Sequence, residues 1–113
     1  MIAPLHELLR AAGEPTRLRI LNLLRQRNLC VSELQRVLGI PQSTVSRHLA
    51  TLRHAGLAVD TRVGTRAFYS LPRTGAPPLE VFYELMARLC SCEETLQEDS
   101  TRLKRMRKER EAQ

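Results

Sequence analysis

Aromatic residues, cysteine and long apolar stretches are all scarce in this chain of 113 residues. It has no tryptophan, two tyrosines, two phenylalanines and three cysteines, and an odd number of cysteines argues against a framework of disulfides. No apolar run approaches the roughly 20 residues that a membrane-spanning helix needs. The N-terminal residues show no signal-peptide pattern. We therefore expect a cytoplasmic protein that has no membrane partner.

The motifs of common enzyme classes are missing as well. The sequence contains no glycine-rich phosphate loop, no HExxH, no GxSxG and no pair of carboxylates in an expected cleft. Its five glycines are accounted for by turns and by helix ends. We predict that the chain is not an enzyme.

Positive charge is in excess, and it is unevenly distributed along the chain. The net charge is +6, and residues 41–73 carry five arginines against a single acid. Residues 78–100 carry six acids against one base, and residues 102–110 carry six bases against one acid. A basic middle segment is the footprint expected of a protein that binds a phosphate backbone. The basic C-terminal segment is most simply a solvated helix end, and an additional DNA contact is the alternative.

Hydrophobic periodicity predicts one mainly α-helical domain over residues 1–113 with a β-hairpin. Two N-terminal helices lie within residues 1–28, a helix-turn-helix covers residues 32–55, and a last helix covers residues 78–110. β-Branched and aromatic residues at positions 57–71, divided at Gly64, predict the hairpin. The order of four helices, two strands and a fifth helix is that of a winged helix-turn-helix, in which the hairpin is the wing.

Local signals place the boundaries of these helices. Ser32 and Gln35 match a capping box, which would begin the first helix of the helix-turn-helix, and Gly39 would end it.

The second N-terminal helix, which precedes the helix-turn-helix, is expected to turn four arginines toward solvent, namely Arg17, Arg19, Arg25 and Arg27.

The segment Gln42–His54 has the pattern of a DNA recognition helix. Val45, Leu49 and Leu52 form a narrow apolar stripe at i, i+4 and i+7. The opposite face holds small hydroxyl residues, an alanine and an arginine, and it has no acid. Such a face can approach a polyanion closely and present donors to base edges. The alternative is an ordinary amphipathic helix with a polar outer side.

Two arginines flank the tip of the predicted wing. Arg62 precedes Gly64 and Arg66 follows it. A hairpin that carries arginines beside a recognition helix can hold a phosphate or enter the minor groove. The alternative is a surface hairpin with incidental arginines.

The last predicted helix carries a heptad-like apolar seam. Its members are Leu79, Phe82, Met86, Leu89, Leu96 and Leu103. A seam of this length exceeds what so small a domain can cover, so a two-fold partner is expected to bury it. The sequence therefore predicts a homodimer that forms through its first and last helices.

With these elements in this order, the chain resembles the ArsR/SmtB family of bacterial winged-helix repressors. The matching segments are EPTRLRILNLL, LCVSELQRVLGIPQSTVSRHLATLRHAGLA and VDTRVGTRAFYSL. The resemblance implies a homodimer that binds an inverted repeat in double-stranded operator DNA, needs no cofactor to do so, and is released by an effector. The expected DNA-binding residues are Gln42, Ser43, Thr44, Ser46, Arg47, His48, Arg53, Arg62 and Arg66.

The effector is expected to act through the cysteines. The metalloid-sensing branch has a CVCDLC-like sequence where this chain reads CVSELQ, so only Cys30 matches. The zinc-sensing branch uses Asp and His residues on the last helix, and that helix has no histidine here, which excludes such a site. Three thiolates, from Cys30, Cys90 and Cys92, suit a soft ion, with arsenite or antimonite as the inducer.

Geometry limits such a thiolate site. Cys90 and Cys92 lie about 200° apart on a continuous helix, so a shared site needs the helix to end or bend at Ser91, or a cysteine from the other subunit. Two alternatives stay open: the cysteines are buried small hydrophobic residues, or their thiols respond to oxidation.

Two classes of function fit these features. The first is an effector-responsive transcriptional repressor on operator DNA, and the second is a protein-docking module that uses the last helix as its docking surface. Only the repressor predicts strong sequence preference and steep salt dependence in DNA binding.

Overall fold

Within residues 2–73 and 77–111, which the computed structural model describes, six helices and three short strands follow one another. They are α1 (Ile2–Ala12), α2 (Pro15–Leu24), β1 (Leu29–Cys30), α3 (Val31–Leu38), α4 (Gln42–His54), β2 (Val59–Val63), β3 (Arg66–Ser70), α5 (Pro77–Cys90) and α6 (Glu94–Glu111). The predicted helical fold with a hairpin is confirmed. Residues 1, 74–76 and 112–113 of the predicted domain lie outside the described part.

The helix α4 has the predicted bounds and the predicted buried stripe. Val45, Leu49 and Leu52 are each 0% exposed and face the core. Full burial of one such side chain contributes about 1.5–3 kcal/mol. The helix ends where Gly56 takes a φ of 76° and Leu57 N donates to Leu52 O at 2.8 Å. This left-handed glycine lets the chain leave α4 directly into the wing.

A short strand that the sequence did not predict sets the start of α3. β1 pairs antiparallel with β3, with Cys30 opposite Phe68, and the sheet order is β1-β3-β2. Because this pairing keeps Cys30 extended, with φ −89° and ψ 169°, the helix starts at the next residue. Cys30 N donates to Glu33 Oε1 at 3.1 Å. The predicted capping box of Ser32 and Gln35 is therefore wrong, since both residues lie inside α3.

The prediction of a single last helix over residues 78–110 is also wrong, because a turn at residues 91–93 interrupts it and divides it into α5 and α6. Ser91 Oγ donates to Arg88 O at 2.7 Å and so satisfies a carbonyl at the end of α5. Leu96 N donates to Glu93 Oε2 at 3.2 Å, so Glu93 caps the start of α6. The segment thus forms two separate helices, and α6 packs back onto α2 and α3.

The break between α5 and α6 changes how the predicted apolar seam is buried. Phe82, Met86, Leu96 and Leu103 are between 2% and 7% exposed and pack within the core of the same chain. Of the residues at seam positions, Leu89 is largely exposed, at 45%. The expectation that a partner subunit buries the whole seam is therefore wrong, because most of it is buried within a single chain.

A buried carboxylate joins α6 to the helix-turn-helix. Asp99 is 0% exposed and accepts hydrogen bonds from Arg19 Nε at 2.8 Å and Nη2 at 3.0 Å. These bonds raise the pKa of Arg19 above its ordinary value. Arg19 Nη2 also donates to Leu38 O at 3.3 Å, and Arg102 Nη1 donates to Val37 O at 3.1 Å. Arg19 was expected to face solvent, but it connects three helices.

Candidate nucleic-acid interface

The outer face of α4 is exposed along its length. Gln42, Ser43, Ser46 and Arg47 are exposed, and Thr44 is half-buried. Pro41 precedes them in an extended conformation at the N-cap of α4, with no side-chain hydrogen bond to the first turn. A helix N-terminus carries partial positive charge and unpaired N–H groups, both of which favour a phosphate. The face therefore combines hydrogen-bond donors with a field that attracts DNA.

His48 does not share this face. Its Nδ1 lies 3.2 Å from Arg17 Nη1 and 3.7 Å from Glu14 Oε2, and its side chain is 14% exposed. Because a guanidinium can only donate, His48 Nδ1 accepts the hydrogen bond. Glu14 Oε2 also accepts from Arg17 N at 2.8 Å, which caps α2. His48 thus holds α4 against α2, and Arg17, expected to face solvent, is turned inward.

Arg53 lies at the other end of α4, where the chain enters the wing. Its Nη1 is 3.5 Å from Asp60 Oδ1, and its side chain is 51% exposed. Ion pairs this exposed contribute little to stability. Because half of the Arg53 side chain is exposed, its guanidinium stays accessible despite the pair. Arg53 could meet a phosphate near the base of the wing without disturbing the core.

The wing carries its arginines on opposite faces. Arg62 pairs with Ala67 and Val63 pairs with Arg66 in the ladder, and both arginines are exposed. Because neighbouring pairs of an antiparallel ladder point to opposite sides, the two guanidinium groups extend from different faces of the ribbon. The turn between the strands has Gly64 at a φ of 65°. A ribbon of this kind can meet phosphates on both of its sides.

A shallow cleft on α3 continues the exposed surface beyond α4. It is lined by Ser32, Gln35, Arg36, Gly39, Ile40 and Pro41. Arg36 is not among the DNA-binding residues predicted from the sequence. Its spacing of four residues from Ser32 puts both on the outer side of α3, and both are exposed.

The three cysteines do not come together within one chain. Cys30 and Cys90 are buried, Cys92 is exposed, and all three are free thiols. Cys30 Sγ lies 3.2 Å from Ser32 Oγ, whereas Cys90 Sγ lies 3.7 Å from Ser100 Oγ on α6. In the described part of the chain, no three histidine, cysteine or acidic side chains are close enough to hold a metal ion. The helix does end after Cys90, as a shared thiolate site would require, but the three thiols still form no cluster in the described part of the chain.

Membrane association through a spanning helix finds no support in the described residues, where no helix is both long and apolar enough to cross a bilayer.

Comparison with known proteins places these features in a family. The family model described as "Bacterial regulatory protein, arsR family" matches residues 14–59. The HTH-type transcriptional repressor SmtB of Mycobacterium tuberculosis is 43% identical over 65 residues, which are 58% of this chain and 48% of SmtB. The chain thus spans about half the length of this relative.

Solved structures of other relatives match more of the chain. The structure of HlyU from Vibrio cholerae has a TM-score of 0.70 and 36% identity, and the match covers 80% of this chain and 95% of HlyU. A homodimeric winged helix-turn-helix DNA-binding domain from Mycobacterium bovis has a TM-score of 0.66 and 27% identity, with coverage of 78% and 76%. SmtB is named as a transcriptional repressor and HlyU as a transcriptional activator, so both are regulators, the class of function predicted for this chain. The chain therefore belongs to the ArsR/SmtB family of bacterial regulatory proteins.

Proposed function

We propose that the chain is a transcriptional repressor of the cytoplasm, which binds an inverted repeat in operator DNA as a homodimer and leaves it when an effector binds. The observation that carries this proposal is the exposed, acid-free face of α4 beside a wing with an arginine on each side. The major groove of B-DNA, about 12 Å wide, accepts one α-helix. Family membership supports the same function.

The exposed residues divide into two roles in this proposal. Arg47 reads a guanine, because a guanidinium can donate to both O6 and N7 of that base. Gln42, Ser43, Thr44 and Ser46 contact base edges or adjacent phosphates from the first turns of α4. Arg53, Arg62 and Arg66 bind phosphates and fix the orientation of the protein on the duplex. His48, which the sequence placed among the DNA-binding residues, is not given a DNA contact in this proposal, because its ring is hydrogen-bonded to Arg17.

An exposed apolar surface on α1 and α5 supports the homodimer. Leu5 and Leu9 on α1 are 48% and 53% exposed, and Val81, Leu85 and Leu89 on α5 are 64%, 48% and 45% exposed. Each set repeats every four residues and so forms a stripe along its helix. Contiguous apolar surface of this kind marks an interaction site. We propose that the two stripes meet their copies in the partner subunit, as in a dimer with two-fold symmetry.

We expect Leu85→Glu to convert the dimer to a monomer at micromolar concentration. The substitution puts a charge in the middle of the apolar α5 stripe, where burial of an unpaired carboxylate is costly, while the free monomer leaves it in water. Sedimentation equilibrium measures the mass directly. The matched control is Val63→Glu, which places the same charge on an exposed apolar residue of the wing (62% exposed) and should leave the dimer intact. A Leu85→Glu protein that still sediments as a dimer would contradict this interface.

The thiols are the proposed site of the effector, a thiophilic metalloid or metal such as trivalent arsenic. Soft thiolate ligands select such ions. The turn between α5 and α6 carries Cys92 at the surface, two residues beyond the buried Cys90. Since no three possible ligands cluster within the described part of one chain, a three-cysteine site would have to draw on both subunits. Oxidation of the exposed Cys92 is the alternative response at the same place.

The test of the proposed function is fluorescence anisotropy of the reduced protein on DNA from upstream of its own coding region, titrated with arsenite. We expect tight binding that weakens steeply with salt, because each neutralised phosphate contributes about −0.9 to the slope of log K against log salt. Arsenite should release the DNA, and Cys30→Ser, Cys90→Ser and Cys92→Ser should each abolish that release.

Each other outcome of this titration has a distinct meaning. Specific binding that ignores arsenite would overturn the metalloid effector, and release by peroxide instead would point to thiol oxidation. Equal affinity for operator and unrelated DNA at low salt would overturn the repressor and favour the protein-docking module.

A further inference from the structure

The last carbonyl groups of α3 are capped from outside the helix-turn-helix. A helix leaves the carbonyls of its last turn without partners inside the helix. Gln35 O is satisfied locally, by Gly39 N at 2.8 Å, whereas Val37 O and Leu38 O accept from Arg102 and Arg19 at 3.1 and 3.3 Å. These donors come from α6 and α2. The end of α3 therefore depends on two other helices.

One carboxylate orients both donors. Asp99 lies between the two guanidinium groups, with two hydrogen bonds to Arg19 and a distance of 3.7 Å from Oδ1 to Arg102 Nη1. Asp99 is completely buried, so its carboxylate depends on these two cations and not on water. The negative end of the α3 dipole faces the same two cations. Asp99, Arg19 and Arg102, which we call the α3 clamp, thus form a compact set that fixes the end of α3.

The position of that end determines the position of the DNA-reading helix. Gly39 takes a φ of 69°, and only Ile40 and Pro41 separate it from the first residue of α4. A displacement of the α3 terminus therefore passes directly to the N-terminal turn of α4, which holds the proposed base contacts. Recognition geometry tolerates only about 0.5 Å and 10–20° of error.

We propose that Asp99, acting through Arg19 and Arg102, is a positioning residue for DNA reading, which sets the α4 N-terminus at the depth and angle that base contacts require. The inference rests on the proposed function, and it adds α6 to the elements that determine specificity. None of the three residues of the α3 clamp is assigned a contact with DNA. Loss of the clamp should reduce discrimination between sequences more than it reduces general attraction to DNA.

Arg102→Met tests this inference without threatening the fold. The Arg102 side chain is 43% exposed, and methionine keeps much of its apolar stem while removing the donors to Val37 O. The ratio of specific to non-specific affinity should fall about tenfold in the dimer, which loses one modest hydrogen bond in each protomer. Amide hydrogen exchange at Gly39 should become faster, because its helix end loses a cap.

The matched control is Arg105→Met, which removes the same charge from an exposed position one turn further along α6. It should lower both affinities slightly, keep their ratio, and leave exchange at Gly39 unchanged. An Arg102→Met protein with the ratio and exchange rates of this control would overturn the inference while the proposed function stands. Absence of sequence preference in the unmodified protein would instead contradict the proposed function.

Discussion

Asp99→Ala is expected to lower the free energy of unfolding by about 3 kcal/mol. Removal of one partner from a buried ion pair generally costs about 3–5 kcal/mol, because the remaining charge loses its compensation. The lower end applies here, since the Arg19 side chain is 22% exposed and can reach water. Urea denaturation followed by circular dichroism measures the loss.

Two further variants separate the buried pair from general effects on α6. Glu98→Ala removes the neighbouring acid, which is 54% exposed and 3.7 Å from Arg102 Nη2, and should change stability by less than about 0.5 kcal/mol. Asp99→Asn keeps the shape and one acceptor, so its stability should fall between that of Asp99→Ala and the unmodified protein. A loss below about 1 kcal/mol in Asp99→Ala would show that water replaces the carboxylate without much cost.

The elements that the sequence predicts well are those whose signals are local. The apolar stripe of α4 repeats with the helical period over its whole length, and Gly56 ends the helix by its own backbone preference. The hairpin likewise follows from β-branched and aromatic residues on each side of Gly64. Each of these signals lies within a single short segment of the chain, so tertiary packing has little opportunity to override it.

The break in the last helix has no comparable local signal. Neither proline nor glycine lies between Cys90 and Glu94, so the heptad-like spacing runs through the turn without interruption. The break is stabilised by contacts between distant segments, such as Asn22 Nδ2 with Leu96 O at 3.2 Å, which joins residues 74 positions apart. Most of the predicted dimer seam is therefore buried within one chain. The apolar surface left exposed on α5 is the narrower stripe of Val81, Leu85 and Leu89.

The candidate site shows the same division between local and distant determinants. The exposed positions of α4 follow from its helical period alone. The inward position of His48 depends on Arg17, 31 residues away, and on Glu14, whose capping role in α2 is a separate local feature. The α3 clamp likewise joins α2, α3 and α6. A helical projection of α4 contains none of these partners.

We expect Arg47→Ala to weaken operator binding by about 2–6 kcal/mol, which is at least about 30-fold in Kd. A bidentate arginine–guanine pair contributes about 1–3 kcal/mol to discrimination between bases, and a homodimer on an inverted repeat loses one pair in each half-site. The stability of the protein should change little, because Arg47 is exposed on the outer face of α4. Anisotropy on operator and unrelated duplexes measures the effect.

Arg47→Lys distinguishes a base contact from a phosphate contact at this position. Lysine keeps the charge but lacks the planar fork of donors, so it cannot reproduce a bidentate pair with guanine. If Arg47 reads a base, Arg47→Lys should lose most of the discrimination between operator and unrelated DNA while it retains the salt dependence of the unmodified protein. If Arg47 only binds a phosphate, lysine should restore operator affinity, and Arg47→Ala should weaken all sequences equally. Unchanged operator affinity in Arg47→Ala would remove α4 from the major groove.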